Sequence, residues 1–599
     1  MIFVMNYIID SLNPAQQEAV KYTNGPLLIL AGAGSGKTKA LVHRTAYLIK
    51  EKQVSPENIL LLTFTNKAAD EMKGRIKKLL SDSVANDRLP YAGTFHAFCA
   101  KILRLEAHFL DLSPRFLIFD EQDQLDIVKE VLKEMNLSVG SFRPASVLGI
   151  ISQAKNELIS PWEYPQYARG PYQEQVAKIY LKYQKLLRQQ EGLDFDDLLV
   201  ETVRLFKKEP EVLNKYQDRF RYILVDEWQD TNHAQYELIR LLGKKYRNLC
   251  VVGDASQSIY GWRGADYRNL MSLKNDFPEI QVINLEQNYR STQKILDTAY
   301  EIIKSNRSHP ILRLWTNNPQ GENIKIYEAR DEQDEARFLT EKIINSGRPF
   351  SDFAVLYRTN AQSRVIEEVF LQNSLPYLLV GGVRFYERKE VKDVISFLRF
   401  LANPKDETAY KRISRLGKNR LEKFLEFART QKNEKQTTLV LIDAVLAKTG
   451  YLELYDPEDE EDLSRLENIK ELRSVASQYP NLLDFLENVA LVENEYQPRR
   501  NQDDNQPKVT LMTMHAAKGL EFPVVFIVGL EEGLFPHSRA LMEPLELEEE
   551  RRLCYVAITR AKELLFLSYA RKRLFFGSRG ANLPSRFLGE IPEKLFDLL

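Results

Sequence analysis

Residues 26–38 read PLLILAGAGSGKT, an apolar run that leads straight into a glycine-rich loop ending in Lys-Thr. Short apolar runs of this kind are buried on both faces in parallel sheets. Three more follow downstream: NILLLTF at 58–64, YILVDE at 222–227 and LCVVGD at 249–254. Because amphipathic helical stretches separate these runs, the sequence predicts an α/β fold with parallel sheets flanked by helices.

The alternation of strands and helices is interrupted twice. Stretches such as DEQDQLDIVKEVLKEM have helical spacing and few strand signals. Strand-like runs resume with VINLEQNY and FAVLYRT, give way to charged helical sequence, and return at VTLMTMH. We therefore predict two α/β domains, each split by a mainly helical insertion. The predicted segments are 1–113 and 194–285 for the first domain, 114–193 for its insertion, 286–384 and 507–599 for the second domain, and 385–506 for the second insertion.

Composition limits the class of protein. The chain has 599 residues, a length typical of about four domains. Its 83 Lys and Arg residues balance 84 Asp and Glu, so any nucleic-acid surface must be local. Cys99, Cys250 and Cys554 form no CxxC pair, which favours a reducing compartment. No apolar run approaches the roughly 18 residues needed to span a bilayer, so we expect a cytoplasmic protein with no membrane partner.

The loop at 31–38, AGAGSGKT, has the Walker A pattern with Ala in place of the first Gly. Its glycines let backbone N–H groups close around phosphate oxygens, and the following helix presents its positive N-terminus. Lys37 is expected to reach the β and γ phosphates, and Thr38 to offer its hydroxyl to Mg²⁺. A structural glycine-rich turn is less favoured, because a strand and a helix flank the loop. The predicted ATP-binding residues are Ala31, Gly32, Ala33, Gly34, Ser35, Gly36, Lys37 and Thr38.

Asp226 and Glu227 lie at the end of the apolar strand YILVDE. An Asp in this position can hold Mg²⁺ through water, and the adjacent Glu can accept a proton from the attacking water. Two neighbouring acids alone are more often a solvated strand end, but the Walker A loop upstream favours the catalytic interpretation. The sequence thus predicts ATP and Mg²⁺ as ligands.

Ten motifs carry a resemblance to a known family. In chain order they are LNPAQQEAV, AGAGSGKT, TFTNKAADEM, GTFHAFC, DFDDLL, DEWQD, VVGDASQSIYGWRGA, LEQNYRST, LMTMHAAKGLEFP and ERRLCYVAITRA. This series resembles the motifs of superfamily 1A helicases of the UvrD/PcrA/Rep type, from Leu12 almost to the C-terminus. The resemblance implies two RecA-like P-loop NTPase domains, 1A and 2A, with insertions 1B at 114–193 and 2B at 385–506.

The resemblance implies further roles at the nucleotide. Gln16 would contact the adenine edge, Tyr289 would stack on the adenine and Glu521 would lie near the ribose. A helix-surface position for Gln16 and a core position for Tyr289 are the alternatives. Gln257 would sense the γ phosphate, and two arginines of 2A would act as fingers during hydrolysis, with ATP binding closing the 1A/2A cleft. The predicted catalytic set is Lys37, Glu227, Gln257, Arg290 and Arg560.

The resemblance also nominates a track for single-stranded DNA. Aromatic faces stack on any base at about 1–3 kcal/mol each, which suits a motor that does not read sequence. The alternative for these aromatics is a core position, and it weighs more for Phe195 than for Trp262, which stands between two glycines. The nominated residues are Phe64, His96, Phe195, Tyr260, Trp262, Arg263 and Phe576.

Several positions depart from the family pattern. Lys39 and Ser256 stand where Arg and Asp are usual, and Trp228 stands where Phe is common. The stretch RLGKNRL at 415–421 lacks the RGIG turn expected in 2B, and we expect a 2B several helices shorter than usual. The chain stops soon after LPSRFLGEIP, so a partner that docks on a C-terminal extension is not predicted.

The predicted function is ATP-driven 3′ to 5′ translocation on single-stranded DNA with unwinding of tailed duplex DNA, in repair or replication at the nucleoid. Phe576, in RLFFG, matches the hairpin that props duplexes open in the family. The alternative is an ATP-switched single-strand binding protein, or a translocase that displaces proteins without unwinding. A helicase-nuclease is less favoured, because only a short tail follows Arg560 and the last strands. RNA stays open as a track, because stacking does not test for a 2′-hydroxyl.

Overall fold

The computed structural model describes residues 8–80, 89–430, 436–457, 459–495, 506–575 and 578–599. Contacts divide the chain into two compact units. The first unit comprises Met1–Tyr289 and Arg307–Asn317, and the second comprises Arg290–Asn306 and Asn318–Leu599. The chain therefore crosses between the units after Tyr289, after Asn306 and after Asn317.

The first unit is built around parallel strands. Its strands are β1 (Leu27–Ala31), β2 (Ile59–Thr63), β3 (Tyr91–Thr94), β4 (Leu117–Phe119), β5 (Gly192–Asp194), β6 (Tyr222–Val225), β7 (Leu249–Gly253), β8 (Gln281–Leu285), β9 (Gln287–Asn288) and β10 (Trp315–Thr316). Six of them form one sheet in the order β3-β2-β6-β7-β1-β8, and every pairing in it is parallel. Alternate residues enter opposite cores: Leu28 and Leu60 lie in one, Leu27 and Ile59 in the other.

Helices cover both faces of this sheet, which is why its inner strands β2, β6, β7 and β1 are almost entirely apolar and buried. The helices of the first unit are α1 (Pro14–Lys21), α2 (Lys37–Lys50), α3 (Asn66–Leu80), α4 (Phe95–Leu105), α5 (Glu121–Glu134), α6 (Pro144–Asn156), α7 (Gly170–Gln189), α8 (Phe195–Lys208), α9 (Pro210–Arg219), α10 (His233–Gly243) and α11 (Asn269–Asp276). Helices α5 to α7 form a separate hydrophobic core. The chain enters them after β4 and leaves them at β5, and these two strands pair in parallel.

The second unit repeats this plan. Its strands are β11 (Ile324–Ala329), β12 (Phe353–Tyr357), β13 (Tyr377–Val380), β14 (Val509–Thr513), β15 (Phe522–Ile527), β16 (Ala561–Ala570), β17 (Arg573–Phe575), β18 (Ser578–Gly580) and β19 (Phe596–Leu598). Seven of them form a parallel sheet in the order β13-β14-β12-β15-β16-β11-β19. The pair β17–β18 is an antiparallel hairpin.

Helices flank the second sheet as well. They are α12 (Gln293–Ile303), α13 (Glu332–Ile344), α14 (Ser363–Gln372), α15 (Lys389–Ala402), α16 (Glu407–Ser414), α17 (Lys418–Thr430), α18 (Thr438–Thr449), α19 (Glu460–Gln478), α20 (Leu482–Glu495), α21 (Pro544–Ile558) and α22 (Arg586–Gly589). Helices α15 to α20 bury a core of their own between β13 and β14 in the chain. The predicted α/β class with two parallel, helix-flanked sheets is confirmed, while the exact segment boundaries stay predictions.

Within the described ranges, no helix combines the length and the apolar content needed to cross a bilayer.

Candidate nucleotide site and nucleic-acid interface

The predicted site residues of the first unit gather at one edge of its sheet. Parallel strands all end at the same edge, and loops that follow the carboxyl ends form the usual ligand site of such sheets. The phosphate loop follows β1, Phe64 follows β2 and His96 follows β3 within the start of α4. Asp226 follows β6 and Asp254 follows β7. We call this the carboxyl edge.

The phosphate loop has the geometry that an anion requires. Gly34 and Gly36 adopt left-handed backbone conformations, with φ of +65° and +82°, which favour glycine. Ser35 turns its hydroxyl inward and donates to the Gly32 carbonyl at 2.8 Å. Helix α2 begins at Lys37, and among the described residues no side chain caps its N-terminus. Its first-turn N–H groups therefore suit a phosphate acceptor.

Lys37 meets acidic side chains at this edge. Its Nζ lies 3.3 Å from Glu227 Oε2, and the lysine side chain is 10% exposed. Burial favours the neutral amine, but the charges of Glu227, Asp254 and Asp226 outweigh burial and raise the pKa of Lys37. The lysine is therefore held in its charged form, as phosphate binding requires.

Asp226 and Thr38 are in direct contact. The Thr38 hydroxyl donates to Asp226 Oδ2 at 3.1 Å. Burial and the neighbouring Glu227 charge raise the pKa of Asp226 to about 7, against the effect of Lys37. A hydroxyl and a buried, charge-crowded carboxylate are hard oxygen donors, and a divalent cation would relieve that crowding. These residues fit Mg²⁺, which the sequence predicted for them.

Glu227 is held by its backbone and by a neighbour. Its φ is +51°, a left-handed conformation that is uncommon outside glycine. Gln229 Nε2 donates to Glu227 Oε2 at 2.6 Å, and Gln229 Oε1 accepts the Asp254 N–H at 2.9 Å. The carboxylate therefore faces Lys37 with a fixed orientation, which suits a base that receives a proton from water.

Asp254 is a site residue that sequence reasoning missed. Its Oδ2 accepts a hydrogen bond from Gln257 Nε2 at 2.7 Å, and its Oδ1 accepts the Ser256 N–H at 3.0 Å. It thus links the predicted phosphate sensor to the lysine. Its place at the end of an apolar strand, LCVVGD, is the same signal that singled out Asp226.

The predicted adenine residues lie beside the phosphate loop. Gln16 is buried, and its Nε2 donates to the Ser35 carbonyl at 2.9 Å. Asn13 Nδ2 donates to the Tyr289 hydroxyl at 2.8 Å, and the Tyr289 N–H donates to the Gly34 carbonyl at 3.0 Å. The Tyr289 side chain is 49% exposed, so it is no core residue. Sequence reasoning missed Asn13, which the motif LNPAQQEAV contains.

Arg290 and Glu521 come together in the second unit. Arg290 Nε donates to Glu521 Oε2 at 2.7 Å and its Nη1 donates to the Thr559 carbonyl at 3.0 Å. Lys562 Nζ lies 2.7 Å from the other oxygen of Glu521. Burial disfavours the Glu521 charge, but hydrogen bonds from Lys562 and Arg290 outweigh burial and lower its pKa.

Arg560 is buried in the same unit. Its Nε donates to the Val556 carbonyl at 2.8 Å, its Nη1 to the Leu520 carbonyl at 3.2 Å and its Nη2 to Thr559 Oγ1 at 3.0 Å. Internal acceptors thus orient the whole guanidinium group. Its predicted role as an arginine finger stays a prediction.

Three of the residues nominated for DNA, Phe64, His96 and Phe195, lie at the carboxyl edge or beside it. Phe64 packs against Phe95 at a ring distance of 5.7 Å. His96 and Phe195 meet edge to face at 5.8 Å, and burial lowers the pKa of His96, which favours a neutral ring. Phe195 is 48% exposed at the first residue of α8, so it is not a core aromatic.

The motif SIYGWRGA forms a short helical turn at Gly261–Arg263. Trp262 is 47% exposed and Tyr260 is partly buried. The side chain of Arg263 lies outside the described part of the structure, and so does Phe576 altogether. Their predicted contacts with DNA stay predictions.

Two departures from the family pattern have structural partners. Trp228 is completely buried, and its indole N–H donates to the Asn269 carbonyl at 3.2 Å. Lys39 Nζ donates to the Ser11 carbonyl at 2.7 Å, and partial burial lowers its pKa. Lys39 therefore ties α2 to the chain before α1.

Comparison with known proteins agrees with this arrangement. Residues 12–278 match the model of the UvrD/REP helicase N-terminal domain, and residues 283–450 and 418–572 match the UvrD-like helicase C-terminal domain. The chain is 45% identical to proteins named ATP-dependent DNA helicase PcrA from Staphylococcus aureus and Staphylococcus epidermidis. In both comparisons the alignment covers 99% of this chain and 88% of the relative. The chain therefore belongs to the UvrD/PcrA/Rep family of helicases.

Proposed function

We propose that this protein is an ATP-driven DNA motor that moves 3′ to 5′ along single strands and separates tailed duplex DNA, in repair or replication at the nucleoid. One observation carries the proposal. Lys37 and its acidic partners lie on loops of the same carboxyl edge as Phe64 and His96. A change at the nucleotide therefore acts on loops adjacent to those proposed to grip bases. The printed name of the PcrA relatives, ATP-dependent DNA helicase, supports the same function.

Hydrolysis is proposed to depend on the residues around Lys37. Lys37 and the uncapped N-terminus of α2 bind the phosphates, and Thr38 with Asp226 would hold Mg²⁺, which when bound neutralises phosphate charge. Glu227, oriented by Gln229, accepts the proton of the attacking water. Because burial keeps bulk water away from Lys37, each of these electrostatic contacts is stronger than it would be at an exposed surface.

The second unit is proposed to contribute positive charge. Arg290 and Arg560 would stabilise the charge that develops during phosphoryl transfer, the role that family resemblance implies for them. Opening and closing of the cleft between the RecA-like domains, driven by the nucleotide, would then convert hydrolysis into movement along DNA.

Strand displacement tests the function directly. Duplexes with a 3′ tail, a 5′ tail or no tail are incubated with ATP and Mg²⁺, and released strand is measured. We expect displacement on the 3′-tailed duplex alone, none with the Glu227→Gln protein, and ATP hydrolysis that rises when single-stranded DNA is added. Displacement from the 5′-tailed duplex alone would reverse the proposed direction.

An ATP-switched binding or protein-displacing role is the second candidate. The exposed Trp262 and Phe195 favour it as much as they favour unwinding, because both roles need only a grip on single strands. DNA-stimulated hydrolysis together with removal of streptavidin from a biotinylated single strand, and no displacement from any duplex, would establish this candidate.

A further inference from the structure

The predicted phosphate sensor, Gln257, lies in a buried loop that several hydrogen bonds hold in place. The loop follows β7 and forms a short turn at Ala255–Gln257 that is buried throughout. Both oxygens of Asp254 accept hydrogen bonds from it, one from Ser256 N–H at 3.0 Å and one from Gln257 Nε2 at 2.7 Å. The Gln257 N–H donates to the Asp254 carbonyl at 2.9 Å. The direction of the Gln257 amide therefore depends on how this turn is held.

His309, which lies outside this turn, contacts Ser256 within it. The Ser256 hydroxyl and His309 Nε2 share a hydrogen bond of 3.1 Å between two buried side chains. The other ring nitrogen, Nδ1, lies 3.2 Å from the Ser308 hydroxyl, and the ring packs edge to face on Tyr267 at 6.0 Å. The imidazole is thus fixed at both nitrogens and on its face. This contact occupies the position where the family usually has Asp and this chain has Ser.

His309 belongs to a segment that also contacts the phosphate loop. Arg307–Asn317 packs with the first unit, although the chain before and after it belongs to the second. Farther along, a Cβ atom on Gly32 would lie 2.3 Å from Leu314 Cδ2, so Leu314 packs directly on the loop backbone. Thr316 Oγ1 donates to the Asn288 carbonyl at 2.8 Å, and Asn288 Nδ2 donates to the Ala33 carbonyl at 2.7 Å. One segment therefore contacts both nucleotide loops.

We infer, building on the proposed ATPase activity, that His309 is a positioning residue for hydrolysis. Its hydrogen bond to Ser256 sets the turn that aims Gln257 at the γ phosphate, while Leu314 sets the phosphate loop from the same segment. A single buried hydrogen bond is strong enough to define an orientation and weak enough to exchange within a catalytic cycle. The contribution is to the orientation of a side chain, so it affects turnover more than ATP binding.

The test is a double-substitution cycle on the full-length protein. Ser256→Ala, His309→Ala and the double variant are compared with wild type for DNA-stimulated ATP hydrolysis. We expect each single substitution to lower kcat by about fivefold to thirtyfold and to change the KM for ATP less than threefold. The kcat of the double variant should equal that of either single variant, because both substitutions remove the same hydrogen bond. His309→Gln, which returns an amide group near the position of Nε2, should recover most of the turnover. His108→Ala, on an exposed histidine, is the matched control.

Several results would overturn the positioning role. Turnover equal to wild type in both single variants, losses that simply add in the double variant, or His309→Gln as slow as His309→Ala would each do so. A rise in the KM for ATP with unchanged kcat would also contradict the positioning role. Thermal denaturation of each variant shows whether a loss of turnover reflects unfolding. A wild-type protein without DNA-stimulated hydrolysis would instead refute the proposed function, which separates the two failures.

Discussion

Glu227 shows what a single residue costs and gains at the carboxyl edge. A left-handed conformation outside glycine costs about 1–3 kcal/mol and persists only where surrounding contacts hold it. Here those contacts are the 2.6 Å bond from Gln229 and the 3.3 Å pair with Lys37. The left-handed backbone conformation directs the Glu227 carboxylate toward Lys37. A residue that only terminated the strand would gain nothing from this conformation.

Replacing Glu227 with Gln therefore separates binding from chemistry. The amide oxygen can still accept hydrogen bonds from Gln229 and Lys37, but it cannot take up a proton at neutral pH. We expect ATP and Mg²⁺ binding near wild type and turnover lower by a factor of about 10² or more. Lys37→Ala should weaken both. Hydrolysis rates with equilibrium binding of a fluorescent ATP analogue measure the split, and near-normal hydrolysis by Glu227→Gln would refute the assignment.

Replacing Arg290 or Arg560 with Ala is expected to lower ATP hydrolysis in both cases. The two variants should differ in thermal stability. Arg290 pairs with a carboxylate that is 43% exposed, so Arg290→Ala should leave Tm almost unchanged while kcat falls by about 10²-fold or more. Arg560→Ala removes the donor from three buried acceptors and should lower Tm as well. Arg290→Lys and Arg560→Lys serve as charge-retaining controls. Normal hydrolysis with lost DNA binding in either Ala variant would show that these arginines act elsewhere.

At the scale of an element, helix α8 shows how a buried charge cluster places an exposed aromatic. Asp194 caps the helix by accepting the Asp197 N–H at 2.8 Å. Lys155 of α6 is buried and lies 2.5 Å from Asp194 and 2.8 Å from Asp197. These contacts fix the first turn, and Phe195 is its first residue. The exposed ring therefore owes its position to a lysine from the predicted 1B insertion.

Lys155→Met should destabilise this turn. Two buried carboxylates would lose their cation, and breaking such a pair costs about 3–5 kcal/mol. We expect a clear fall in Tm and weaker binding of single-stranded oligonucleotides, because the Phe195 ring loses its fixed position. Lys182→Met on α7 is the control, since that lysine is partly exposed and lies 3.6 Å from Glu134. Wild-type Tm and affinity in Lys155→Met would contradict the role of the cluster.

Asp196 gives the same cluster a pH dependence. Burial and the neighbouring Asp194 raise its pKa from 3.8 to about 6. Because the folded state holds the proton more tightly, this carboxyl favours folding below about pH 4, and that contribution is lost as the pH rises through about 6. Asp196→Asn keeps a neutral group at every pH.

Relative to wild type, Asp196→Asn should therefore gain stability as the pH rises from 4 to 7. A rise in the pKa of Asp196 from 3.8 to about 6 corresponds to about 3 kcal/mol, and partial exposure of the side chain reduces the expected gain to about 1–2 kcal/mol. Thermal denaturation of both proteins across this range measures it. Asp126→Asn is the control, because hydrogen bonds from Lys129 and Gln122 lower the pKa of Asp126 and no gain is expected. A Tm difference that does not change with pH would contradict the assignment.

The same helix shows what the sequence could and could not predict. The apolar strands and the Walker A loop were predicted, because burial on both faces and phosphate binding restrict residue choice locally. The contact of Lys155 with Asp194 was not predicted, since the two are separated by a helix and their pairing depends on packing. The left-handed Glu227 and the Ser256–His309 contact were missed for the same reason. Local patterns thus identified the candidate site residues, and long-range packing determines how their side chains are oriented.

At the scale of the whole molecule, the second insertion is the part that the sequence predicts to differ most from the family pattern. The alignment with the PcrA relatives extends over 648 positions, more than the length of this chain, so the relatives carry residues within the matched region that this chain lacks. The insertion is nevertheless tied firmly to α14. Arg364 is buried and its Nε donates to Glu471 Oε1 of α19 at 2.6 Å. Deleting the insertion would remove Glu471, so point substitutions are the better test of it.

The turn between α16 and α17 is where duplex contact is expected in the family. Gly417 has a φ of +110°, and no atom of the described residues lies within 4 Å of the position of a Cβ, so the turn keeps one left-handed glycine with open space around it. Lys418 beside it is 90% exposed and lies 4.0 Å from Glu422. One glycine presents fewer backbone N–H groups to duplex phosphates than the two-glycine turn would. We therefore predict weak binding of blunt duplex, strong preference for tailed substrates, and translocation that outperforms unwinding.

The salt dependence of binding decides whether this turn still grips duplex. Each lost phosphate contact lowers the slope of log affinity against log salt by about 0.9, whereas stacking on single strands is unaffected. Affinity for blunt duplex and for a 3′-tailed junction is measured across a salt series with wild type and Lys418→Ala. We expect a shallow slope on blunt duplex that Lys418→Ala does not change, and unwinding equal to wild type, with Lys182→Ala, at a partly exposed lysine, as the control. A steep slope on blunt duplex that falls by about one unit in Lys418→Ala would mean that the second insertion binds duplex through this turn after all.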